Sequence, residues 1–92
     1  RNAWKSDDGL ELFLATLTQA LLIDPHSSIC SMLPAGAESL ENDPSQNYIV
    51  MGRPWSEVTE KIHACGWDVV LNSPVKVHKS LARMVIVCHP SN

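Results

Sequence analysis

No residues in this chain are spaced in a familiar metal, nucleotide or nucleophile motif. It has no C-x-x-C, H-E-x-x-H or G-x-S-x-G and no glycine-rich phosphate loop, and four glycines are few from which to build a phosphate cradle. The acceptor sequon N-x-[ST] is also missing. Three cysteines, Cys30, Cys65 and Cys88, cannot all pair within one chain, which argues against a disulfide scaffold and points to a reducing compartment, cytoplasm or nucleus, with one bridge plus one free thiol as the alternative. The longest apolar run, from Leu10, is broken by Glu11, Thr16, Thr18 and Gln19, so neither a membrane span nor a signal peptide is expected. Acidic side chains are absent from residues 69–92, which carry three basic ones, whereas residues 1–68 carry ten acidic and four basic.

What remains is the composition of a folded globule: 45% hydrophobic and 18% charged over 92 residues, enough for one core and one domain, 1–92. An Arg at position 1 leads us to expect a segment excised from a longer protein.

The best-marked stretch is residues 52–71, GRPWSEVTEKIHACGWDVVL. Pro54 suits the first turn of a helix, where its missing N–H costs nothing. Trp55, Val58, Ile62 and Cys65 then fall on one stripe, with Ser56, Glu57, Glu60, Lys61 and Ala64 turned away. Gly66 can take the left-handed position that ends the helix, and Glu57 precedes Lys61 in the favourable i, i+4 order. Runs of strand character flank the helix at residues 48–51 and 67–71. A parallel βαβ crossover is therefore the expected unit, with a helix joining two antiparallel strands as the alternative. Residues 84–88, MVIVC, read as a strand that is central or covered on both sides.

Towards the N-terminus, Ser6, Asp7 and Asp8 mark the start of a long helix, and Asp24-Pro25 its end. Leu10, Phe13, Leu14, Leu17 and Leu21 form its apolar stripe, which Leu12 and Leu22 are expected to widen. Residues 26–33 fit either a helical turn or a short strand. Residues 34–47, PAGAESLENDPSQN, read as a surface loop. In residues 72–83, Ser73-Pro74 could open a helix, but the β-branched Val75 and Val77 favour an extended hairpin arm. The expected fold is α+β or small α/β: a two-layer sandwich in which the N-terminal helix, the βαβ unit and a C-terminal strand share a three- or four-stranded sheet.

Functional residues are sparse. Lys76, His78, Lys79 and Arg83 could contact phosphates or an acidic partner, although a solvated face explains them as well, and the sequence pI of about 5.7 is not that of a nucleic-acid binder. His63, Cys65, His78, Cys88 and His89 are metal-competent, but their spacing matches no common zinc site and buried thiols account for the cysteines. His26 and Cys30 would be a local i, i+4 base and nucleophile pair if that turn were helical. Trp55 and Trp67 are assigned to the core; Trp4, outside the periodic face, could anchor the terminus or a partner, with core packing the favoured reading for all three. The leading expectation is a non-catalytic interaction module of a larger intracellular protein, with a protein partner or self-association and no cofactor. Single-stranded nucleic-acid binding, RNA or DNA, through the basic C-terminal segment is the alternative, and a small zinc or thiol site ranks third.

Overall fold

The computed structural model describes residues 7–36, 48–78 and 81–91, which form a mixed α+β domain of two helices and one five-stranded sheet. Helix α1 spans Asp7–Ile23 and helix α2 spans Trp55–Ala64. The strands are β1 (Ile29–Ala35), β2 (Ile49–Val50), β3 (Arg53–Pro54), β4 (Trp67–His78) and β5 (Leu81–Pro90), in the order β3-β2-β1-β5-β4.

Every neighbouring pair of strands is antiparallel, so the parallel crossover is corrected. The reason lies at Met51 and Gly52, whose φ angles are 53° and 76°. Two central residues at positive φ make the tight primed turn of a β-hairpin, so the run read as one strand turns back on itself and Arg53 pairs with Val50. Helix α2 then carries the chain from that edge of the sheet to the other, where β4 pairs with β5 instead of β2. The sheet accordingly has five strands, not three or four.

Helix α2 keeps its expected face: Trp55, Val58 and Ile62 are buried. Pro54 is its N-cap, with φ −58° and ψ 142°, one position outside the predicted start. The Trp55 N–H donates to the Tyr48 carbonyl across the hairpin at 2.7 Å. Glu57 pairs with Arg53 one turn back, not with Lys61. The helix stops at Gly66, φ 95°, a conformation that glycine adopts without steric cost.

Helix α1 buries Leu10 and Leu17, with Phe13, Leu14 and Leu21 partly covered. Leu12 and Leu22 do not widen the stripe; they are exposed, as is Ile23. The indole Nε1–H of buried Trp67 donates to the Leu17 carbonyl at 3.0 Å, fastening the start of β4 to α1. After α1 the Asp24 carboxylate accepts from the Ser27 hydroxyl and the His26 N–H, which hold its pKa below the ordinary value and close a turn into β1. Residues 29–33 are therefore strand. Pro34 and Ala35 also belong to β1, so the loop read from position 34 starts later, and its residues 37–47 lie outside the described residues together with Trp4 and Ser6.

Strands β4 and β5 pair along almost their whole length, which resolves residues 72–78 and 81–83 as arms of a hairpin, with Lys79 and Ser80 outside the described residues. Strand β5 lies between β1 and β4, as the MVIVC run requires of a central strand.

Candidate interaction surface

The sheet's two faces follow from strand alternation. On β5, Ala82, Met84, Ile86 and Cys88 are wholly buried, and the last three join the helices in one core with Leu33 of β1, Val50 of β2 and Trp67 of β4. The alternate positions look outward. They are Val85 and Val87 on β5, Cys30, Met32 and Pro34 on β1, Leu71, Ser73 and Val75 on β4, and Ile49 on β2. Met32 is 66% exposed and Leu71 52%, and Val75 and Ile49 are also exposed. Register places Met32 beside Val85, Cys30 beside Val87 and Leu71 on the other side of Val87, so the patch is continuous across three strands.

Charged groups lie at the ends of this face, and one polar side chain, Ser73, stands within it beside Val85. At one end Arg83 stands between Pro34 and Val75, half-buried, its guanidinium donating to the Ala82 carbonyl at 3.1 Å. At the other, Asp68 and His89 are cross-strand partners. Asp68 Oδ1 accepts a hydrogen bond from His63 Nδ1 at 2.9 Å, and His89 Nδ1 lies 2.9 Å from the Ser28 hydroxyl. This serine, histidine and aspartate are not a relay: the carboxylate is committed to a different imidazole, and all of these side chains are exposed.

The sequence-predicted sites are scattered by the fold. Of the basic set only Arg83 has a described side chain. Lys76 stands opposite Ala82 and His78 opposite Leu81 on the backbone ladder, but their side chains, and the whole of Lys79, lie outside the described residues. Of the metal-competent set, Cys88 is in the core, Cys65 caps α2 half-buried, and His63 and His89 are exposed with different partners. Among the described residues no group of three or more His, Cys, Asp or Glu side chains could hold a metal ion. Burial pushes the Cys88 thiol up to about 11, with a smaller contribution from Cys30. His26 sits in the turn and Cys30 in the strand, both exposed, so the helical pairing suggested for them does not exist.

The outward face itself was missed because strand alternation marks one face as buried only when the other is polar. Here Val85 and Val87 are as apolar as Met84 and Ile86. Among the described residues no helix is long and apolar enough to cross a membrane. The chain matches no protein-family model, no curated protein and no solved structure.

Proposed function

We propose that the chain is a non-catalytic interaction module that binds another protein through the outward face of its sheet. The observation that carries this reading is the continuous apolar patch of Met32, Val85, Val87 and Leu71, exposed at its flanks and half-exposed at its centre, while the helices occupy the opposite face. Contiguous exposed apolar surface rimmed by polar residues marks contact sites, because covering it removes apolar area from water. The polar ends at Arg83 and at Asp68 and His89 are the rim. Three unpaired thiols fit an intracellular setting within a larger protein.

Binding of single-stranded nucleic acid on this face has weaker support. Among its described positions Arg83 is the one arginine or lysine and none is Phe, Tyr or Trp, whereas strand-tolerant nucleic-acid surfaces combine several cations with stacking rings.

The test is a photo-reactive amino acid placed at Met32, with Glu60 on the exposed side of α2 as the control, in cells expressing the chain. Adducts with protein from position 32 and not from position 60 are expected. Absence of any adduct, or adducts with nucleic acid alone, rejects the reading.

A further inference from the structure

We infer that the partner covering the outward face is a second copy of this chain, packed sheet against sheet about a two-fold axis; the inference rests on the proposed use of that face for protein binding.

Charge placement is the first argument. In a two-fold interface the same patch meets itself, so a charge in its middle would meet its own sign. The middle of this face, Cys30, Met32, Val85, Val87 and Leu71, is uncharged. Arg83 and the Asp68–His89 pair occupy opposite ends, six residues apart along β5, or about 20 Å at strand rise. An axis lying between the two faces and running across the strands near Ile86 reverses the strands of the second copy. It puts Val85 over Val87 of the other copy and brings each Arg83 over the opposite copy's Asp68 end. Each Arg83 then lies over His89 of the other copy, one strand from an Asp68 carboxylate that keeps its His63 bond through Oδ1 and can accept the guanidinium through its other oxygen. Sheets pack this way at about 10 Å separation with strands within about 30° of alignment.

Area is the second argument. Three long strands of seven to twelve residues, at about 4.8 Å spacing and 3.3 Å rise, with the short β2 and β3 beside them, cover roughly 500 Å² per copy. Two such faces reach about 1,000 Å² together, the lower limit of stable protein interfaces, so the expected dimer is reversible with dissociation in the micromolar range.

The experiment is sedimentation velocity on the 92-residue chain from about one to several hundred micromolar, set by the affinity range above. The mass is expected to rise from the 10.1 kDa of one chain towards twice that value. In parallel, alkylation of Cys30, exposed at the centre of the face, should slow as concentration rises. Val85→Lys should weaken the dimer at least tenfold. Arg83→Glu and Asp68→Arg should each weaken it several-fold, and the double exchange should recover most of that loss. Circular dichroism melts of dilute samples identify any variant that has simply unfolded.

A wild-type chain that stays at one-chain mass throughout overturns the inference, as does a dimer indifferent to Val85→Lys. Failure of the inference and failure of the functional reading are separable by the mass of the photo-adduct from position 32. Adducts of another protein's mass leave the face a binding surface with a different partner, twice-chain adducts support self-assembly, and no adducts remove both.

Discussion

The two faces of the sheet are built from nearly the same side chains and have opposite fates. Along β5, Met84 and Ile86 are wholly buried, while Val85 and Val87, each one residue away, remain half-exposed. Chemistry does not separate them, since all four are apolar; what differs is the covering layer. Helices α1 and α2 bring Leu10, Leu17, Trp55, Val58 and Ile62 to the inner face, and among the described residues no element covers the outer one. The domain carries more apolar sheet surface than its own helices cover. That surplus is the physical content of the functional proposal.

The largest effect that could break this comparison comes from shaving each face in turn. Ile86→Ala opens a cavity in the core and should destabilise the dilute chain by about 2–5 kcal/mol in urea unfolding. Val85→Ala leaves its site open to water and should cost under about 1 kcal/mol. Equal losses would mean that the outer face is covered in the isolated chain, and the distinction between the faces would collapse.

Next in size is Gly66→Ala, where α2 gives way to β4. At φ 95° an L residue is strained, and an added Cβ would meet Leu21 Cδ1 at 3.0 Å. The leucine end can yield, so the backbone carries most of the expected loss of about 1–3 kcal/mol by chemical denaturation. Trp67→Phe follows at about 1 kcal/mol, because it removes the indole bond to the Leu17 carbonyl while keeping most of the ring's packing. If Trp67→Phe proved neutral, the fastening of β4 to α1 would rest on apolar contact alone.

Local signals in the sequence were reliable where one short segment decided the outcome. The stripe of Trp55, Val58 and Ile62, its stop at Gly66, and the central character of residues 84–88 were all visible as periodicity and end chemistry. The strand pairing was not, because it turned on Met51 adopting a positive φ beside Gly52. A methionine gives no warning of that conformation; an asparagine in its place would have done. That, among the described residues, a helical layer covers only one face was equally hidden, since apolar residues on both faces of β5 read alike whether two layers cover the sheet or one. Leu12 and Leu22 failed for the same reason: periodicity names apolar positions, but only the packed neighbours decide which are covered.

At neutral pH the smallest expected effect on stability, effectively none, comes from the thiols, which distinguish the faces by alkaline stability and by reactivity. Cys88 lies on the inner face and Cys30 on the outer face of the neighbouring strand, where register sets Cys30 opposite Val87. Burial raises the Cys88 pKa from the ordinary 9.0 to about 11, so between these values the unfolded chain releases a proton that the folded chain retains. Stability contributed by this group is therefore intact below about pH 9 and is lost as pH rises towards 11. Urea titrations across that window should show a steeper fall for the wild type than for Cys88→Ala, whatever the variant's lower starting stability. At pH 7 the same contrast should appear in reactivity: iodoacetamide labels Cys30 and spares Cys88 until the chain unfolds. Parallel pH slopes for wild type and variant, or labelling of Cys88 in the folded chain, would show that water reaches the inner face, and the two faces would then differ in degree, not in kind.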